Sequence, residues 1–287
     1  MATSPTLRRL GFMIAATAGL TALAISSAAA EPIRPPLTAA AQRAGLHSGN
    51  ATMGWRDRSA TARPAGSGIL TQAFQPTGVL GLDVASYQRK LNWAAWASKG
   101  KDFAYVKATE GTTYRNPYWH SQYYGAGHAG LIRGSYHFAR PAGASGKKQA
   151  AYFVIHGGGW KPDGNTLPGV LDIEYNPYGK TCYGLSKARM VAWISDFTQE
   201  YKRRTTRDAV IYSTADWWSR CTGNTTKFTN TNPLWAARYG TKTAGKLPGA
   251  WKIATFWQYT SIPLDQDKFN GSMARLKVLA MGAEPLP

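Results

Sequence analysis

The chain is poor in the residues that most readily betray a function. Its 287 residues hold two cysteines, five histidines and only 15 Asp+Glu against 34 Lys+Arg. The histidines show no metal-ligand spacing: His120 and His128 stand eight apart, and no His-Glu-x-x-His occurs. No zinc-finger spacing and no dense basic run is present, which argues against nucleic acid as a partner. His156-Gly157-Gly158-Gly159 resembles an esterase oxyanion loop, but no Gly-x-Ser-x-Gly accompanies it, so it reads as a plain loop after a helix. The chain also lacks a phosphate loop, an internal repeat of fixed period and an appended repeat module for wall binding. No cofactor and no metal is expected.

Long apolar runs are missing too. Leu10–Ile25 is 16 residues, short of the ~18–20 that cross a bilayer. It follows Arg8-Arg9 and precedes Ser26-Ser27-Ala28-Ala29-Ala30, an Ala-x-Ala cleavage site before Glu31. Residues 1–30 therefore read as a secretory signal peptide, by the general or the twin-arginine route, and the chain as a secreted bacterial protein without a membrane partner. In an exported chain, Cys182 and Cys221 read as a disulfide, with two buried thiols as the alternative.

What is plentiful is positive charge. The net charge is +19, of which residues 1–77 supply +5 and residues 78–287 supply +14. A basic exported surface concentrates anions, and a cell-wall polymer is the expected one. Residues 31–77 are rich in Ala, Pro, Gly, Ser, Thr and Arg with little periodicity, and read as a linker or pro-segment without fixed structure. From Gly78 to residue 287 the texture is that of a single domain, expected as a monomer. Val79–Asp83, Phe103–Ala108, Ile132–Phe138, Val170–Glu174, Ala209–Ser213, Leu234–Arg238 and Ala254–Tyr259 read as strands, with an eighth near Pro263–Lys268. Ser186–Arg203 is the clearest helix. The alternation predicts an α/β fold with a closed parallel barrel.

Polar residues gather at the carboxyl ends of these strands. Asp83 ends the first, Lys107 and Glu110 lie at or just beyond the second, and Tyr136 and His137 lie near the end of the third. Asp172 and Glu174 end the fourth, Tyr212 the fifth, Trp235 and Arg238 the sixth, Gln258 the seventh, and Asp265 lies by the last. In barrels of this kind that face carries the active site. Asp172 and Glu174, at i and i+2 of a strand, project to one side. Two neighbouring carboxylates whose pKa values diverge are what hydrolysis of a glycosidic bond requires. A salt bridge to nearby Arg or Lys is the plainer reading of each acid, strongest for Asp265. With 11 Trp, 15 Tyr and 9 Phe, stacking surfaces for sugar rings are abundant.

Seven ordered segments resemble the family 25 glycoside hydrolases, the Ch-type lysozymes. They are Gly81-Leu82-Asp83-Val84-Ala85-Ser86-Tyr87-Gln88, Phe103 through Gly111, Gly134-Ser135-Tyr136-His137-Phe138, Leu171-Asp172-Ile173-Glu174, Ile211-Tyr212-Ser213, Leu234 through Tyr239, and Phe256-Trp257-Gln258-Tyr259. Asp265, before Phe269-Asn270-Gly271, matches the family's last acid, with Asp267 close by. The resemblance implies a flattened TIM-like (β/α)5(β)3 barrel over about residues 78–280. It also implies cleavage of the β-1,4 bond between N-acetylmuramic acid and N-acetylglucosamine in peptidoglycan. Glu174 would be general acid/base and Asp172 would assist the acetamido group or the developing charge. Asp83 and Asp265 would complete the catalytic set, and Lys107, Tyr136, His137, Tyr212, Trp235, Arg238 and Gln258 would bind substrate. Retention through the acetamido oxygen and inversion through water both stay open. Two other readings stand beside this one. A chitinase-like hydrolase would carry an aspartate where Val170 stands, and a non-catalytic wall-binding protein need not keep both acids.

Overall fold

In the computed structural model, residues 1–2, 36–46, 51–56 and 74–282 are described, so the expected signal peptide lies outside the described residues but for Met1 and Ala2. The chain divides into two units, Met1–Ile33 and Arg34–Pro287, and the second carries every element that follows.

Nine strands follow in chain order: β1 Leu80–Val84, β2 Phe103–Glu110, the short β3 Tyr114–Arg115, β4 Ile132–Phe138, β5 Val170–Asp172, β6 Val210–Ser213, β7 Leu234–Ala237, β8 Phe256–Thr260 and β9 Gln266–Phe269. All but β3 close into an eight-stranded barrel in which β1 pairs with both β2 and β9. Strands β1, β2 and β4 to β8 run parallel, and β9 runs antiparallel to β8 and β1. The helices are α1 Ala39–Arg43, α2 Trp93–Ser98, α3 Trp119–His128, α4 Gly146–Phe153, α5 Lys187–Thr205, α6 Ala215–Thr222 and α7 Met273–Met281. Helices α2 to α6 follow β1, β2, β4, β5 and β6. Strands β7, β8 and β9 then follow without intervening helices, which is the (β/α)5(β)3 order.

Alternation builds two layers. Inward residues Phe103, Tyr105, Tyr136, Val170, Val210, Tyr212, Trp235, Phe256 and Phe269 form one buried cluster. Their outward neighbours Leu171, Ile173, Ile211 and Leu234 pack with Met190, Ile194 and Phe197 of α5. Leu82, Val84, Ala104 and Val106 pack with Trp93, Tyr123 and Ala126. Each such side chain contributes roughly 1.5–3 kcal/mol. Gly134 is required by this packing, because a Cβ there would run into the Tyr105 ring. Helix α5 forms where an apolar stripe follows a cap: Ser186 Oγ accepts from Arg189 N at 3.3 Å. Lys202, Arg203 and Arg204 fill its last turn, where the helix dipole favours cations.

His156 and Gly157 have non-helical backbone angles, Gly157 with φ +115°, and Gly159 is extended, so the chain leaves α4 in an irregular turn. One expectation changes. The segment before the barrel is not structureless where it is described. Thr38 caps α1 by accepting from Ala41 N at 3.2 Å. Ala41, Ala51, Thr52, Met53 and Trp55 are buried. Five scattered small or apolar residues present no period, so composition alone reads them as linker. Among the described residues, no helix is long and apolar enough to cross a membrane.

Candidate active site

The carboxyl ends of the strands hold a dry cluster of acids. Asp83, Asp172, Glu174, Asp265 and Asp267 are all at most 1% exposed. Asp83, next to last in β1, accepts from Gln258 Nε2 at 2.6 Å, while its own N–H donates to Asp265 O at 3.2 Å. Asp265 lies just ahead of β9. Asp267, inside β9, is paired with Gly81 and Gln258 and lies against Trp235 and Asp83. Strand β5 ends at Asp172, two residues before Glu174, yet Ile173 N still reaches Tyr212 O at 3.1 Å and carries the alternation on.

Burial governs the electrostatics. It pushes the Asp172 carboxyl well above the usual carboxylate range; Lys107 pulls the other way, and Glu110 and Asp265 add to the rise. Asp267 is raised for the same reason, with Asp265 as the second cause. Lys107 is the counterweight. Fully buried, its ammonium is lowered by desolvation and supported by Glu110, whose Oε2 it meets at 2.6 Å. Tyr178 donates to the other Glu110 oxygen. Tyr212 and Tyr239 each donate to Gln258 Oε1 at 2.6 Å, and Gln258 hands its own N–H to Asp83. This relay fixes the amide's orientation and holds Asp83 as an acceptor. Burial and the nearby Tyr239, Glu174, Asp172 and Asp83 raise the Tyr212 hydroxyl, which stays protonated. Among the described residues, no group of His, Cys, Asp and Glu could hold a metal.

Of the residues expected at the site, Asp83, Lys107, Asp172, Glu174, Tyr212, Gln258 and Asp265 converge. Tyr136 and Trp235 stand in register with Lys107 and Tyr212. Both are fully buried, and the Trp235 ring lies 4.9 Å from Tyr105 and 5.3 Å from Phe256. His137 is corrected outright. It points outward between Phe153 and Phe197, at 5.6 and 5.4 Å. Gln149 donates to Arg140 O and Ala144 O, so its Oε1 must accept from His137 Nε2, and Nδ1 accepts from Thr109 at 2.7 Å. The ring is a strut held neutral, its pKa lowered to about 3 chiefly by burial. Arg238 is also corrected: it is exposed and packs on Gly245. Tyr239 takes its place at the site. Trp235, Ala237 and Tyr239 share one face, so strict alternation would have found it. Glu110, legible beside Lys107 at the second strand end, is turned back inward by a register shift after Lys107; its partner Tyr178, on a loop, escapes sequence reasoning.

Cys182 and Cys221 are bonded, with Cα atoms 5.3 Å apart. The bridge joins the stretch after β5 to helix α6 and so braces the loop from which Tyr178 reaches Glu110.

Residues 51–56 lie over the acids. Gly54 N donates to Glu174 Oε1 at 2.7 Å, and Lys107 donates to Ala51 O. Trp55 Nε1 donates to Tyr175 O at 2.9 Å, and Arg56 sits 4.1 Å above the Tyr175 ring.

The chain is similar to several known proteins. Lysozyme M1 of Streptomyces globisporus is 44% identical over 285 residues, covering 96% of this chain and 94% of that protein. The N,O-diacetylmuramidase of Chalaropsis sp is 46% identical, covering 71% of this chain and all of that protein. Among solved structures, the bacterial lysozyme from Streptomyces coelicolor superposes with a TM-score of 0.72 at 48% identity, covering 73% of this chain and all of that one. The family model described as glycosyl hydrolases family 25 matches residues 82–267, the stretch from β1 to Asp267 that contains every acid of the cluster. The chain belongs to that family.

Proposed function

We propose that the protein is an exported muramidase that hydrolyses the β-1,4 bond between N-acetylmuramic acid and N-acetylglucosamine in peptidoglycan. The observation that carries this reading is the pairing of Glu174 with Asp172 at the end of β5, faced by Asp83 and Asp265, in a chain 44–46% identical to proteins named lysozyme and N,O-diacetylmuramidase. Glu174 donates a proton to the leaving oxygen and later takes one from water. Asp172 orients the 2-acetamido group, whose oxygen closes on the anomeric carbon. Asp83, fixed by Gln258, and Asp265 hold the sugar and the charge of their neighbours. Lys107, Tyr212 and Tyr239 contribute polar contacts to the substrate. A disulfide and a basic surface suit an exported protein that meets anionic wall polymer.

The test is lysis of defined peptidoglycan, with mass spectrometry of the fragments and NMR of the anomer first released. The processed enzyme should leave reducing N-acetylmuramic acid ends with retained configuration. Glu174→Gln should lose about three orders of magnitude or more in rate with an unchanged melting temperature, the loss of a proton donor and of what depends on it. Near-normal lysis by that variant would remove Glu174 from the chemistry, and cleavage of chitin without peptidoglycan would favour the chitinase-like reading.

A further inference from the structure

The groove over the acids is occupied by the chain itself. Met53 belongs to the same buried cluster as Tyr105, Tyr136, Tyr212 and Trp235, so its side chain plugs the barrel mouth. Either side of it, one backbone carbonyl meets Lys107 and one backbone N–H meets Glu174. Backbone groups of the segment thus occupy the Lys107 ammonium and the Glu174 carboxyl, two groups that substrate would otherwise meet. The anchoring continues outward: Trp55 and Arg56 grip Tyr175, and Thr38 N donates to Pro177 O at 2.8 Å, so the segment is tied along the stretch that follows Glu174. An open hollow of about 520 Å³ lies elsewhere, between Pro141–Ser145 and Trp193 of α5, lined by none of the acids of the cluster.

One residue makes the fit possible. Gly54 has φ +65°, a region that side-chain-bearing residues rarely adopt. A Cβ there would collide with Tyr239 Oη and stand 2.7 Å from Gln258 Oε1 and 2.9 Å from Tyr212 Oη. The backbone can approach the relay above Asp83 only because nothing projects from it.

We propose that residues 51–55 are a built-in occupant of the catalytic groove, which keeps the uncut chain inactive until the link between Arg56 and Phe74 is severed. Severing is hydrolysis by an external endoprotease: one water adds across one peptide bond, giving a new carboxylate and a new amine. The proposal rests on the muramidase reading for its activity readout and on geometry for the occupancy. The match to Lysozyme M1 spans 96% of this chain and so takes in most of residues 1–77. The Chalaropsis muramidase is matched end to end by 71% of this chain, so that protein has the family's length without a counterpart for the rest.

The experiment uses the secreted chain with a site-specific protease sequence placed between Arg56 and Phe74. Peptidoglycan lysis is measured before and after cutting. In parallel, Met53→Cys reports occupancy without reference to activity, since the chain's own two cysteines are bonded to each other. The uncut protein should lyse at least about tenfold more slowly than the cut one, and the thiol introduced at position 53 should alkylate at least about tenfold faster after the cut, as expected when a tethered contact loses its effective concentration. Gly54→Val should give uncut protein that lyses at close to the cut rate. A freely reactive thiol in the uncut chain overturns the occupancy. Equal lysis by cut and uncut chains with a protected thiol overturns the inhibition. No lysis by either form with a protected thiol counts against the muramidase reading and not against the occupancy.

Discussion

His137 sits between Phe153 and Phe197, and its pKa of about 3 has a consequence for stability. In the folded state the ring stays neutral down to that pH, whereas in the unfolded chain it takes a proton near the ordinary value of 6.5. Between those limits the unfolded state binds more protons. The stability gained from burying a neutral ring is therefore complete above pH 6.5 and falls by up to ~1.4 kcal/mol per unit as the pH drops towards 3. Asp172 and Asp267 act in the opposite sense, because their raised carboxyls hold protons that the unfolded chain releases. The comparison must thus be between variants. His137→Gln keeps an acceptor for Thr109 and a donor for Gln149, and its urea midpoint should fall less than the parent's between about pH 6.5 and 4. Parallel curves would show that the ring does not titrate as described. Single side chains also mark how far the sequence was legible. Asp83, Asp172, Glu174 and Asp265 were readable as strand-end acids. His137 and Arg238 read as site residues because they lie near strand ends, yet both fall on the outward parity of their strands. Tyr136 and Tyr239, next to them, fall on the inward one.

Between elements, the Cys182–Cys221 bridge ties the chain beyond β5 to α6, across 39 positions. Trp217 Nε1 donates to Thr181 O at 3.3 Å and Tyr183 Oη to Ala139 O at 3.1 Å within the same clamp. Replacing both cysteines by alanine should lower stability by about 3–4 kcal/mol in the chain-entropy account of such a loop. Denaturant titration of the pair against the parent measures this, and a change under ~1 kcal/mol would mean the surrounding bonds already fix the loop. The strands and α5 were legible because their apolar residues repeat with the periods of a strand and a helix. The segment Ala51–Trp55 was not. It has no repeat, no hydrogen-bonded partner strand and a glycine whose backbone angle no sequence pattern announces. What orders it is a surface built by the ends of several strands and the loops beyond them.

Over the whole molecule, 27 of the 34 cationic side chains lie in residues 78–287, and that excess acts at long range. Retention on insoluble wall should weaken as NaCl rises from about 0.05 to 0.5 M, while hydrolysis of short uncharged glycan fragments should hold, because exposed charges are screened beyond the Debye length, about 10 Å at 0.1 M. Salt-independent retention would assign wall binding to contacts other than exposed charge. The antiparallel β9 corrects the all-parallel barrel expected from the alternation; Gln266–Phe269 alternates half-buried with buried residues, the pattern of a strand covered on one face. The tie between Arg56 and Phe74 has a quantitative meaning of its own. A covalent connection presents the segment to the groove at an effective concentration on the order of millimolar. A contact whose own Kd is about 10 µM would then shut about 99% of the tethered molecules, and almost none once the pieces separate at nanomolar concentration. The occupant need not bind tightly to be decisive. A weak grip and a single peptide bond suffice to make the change nearly complete.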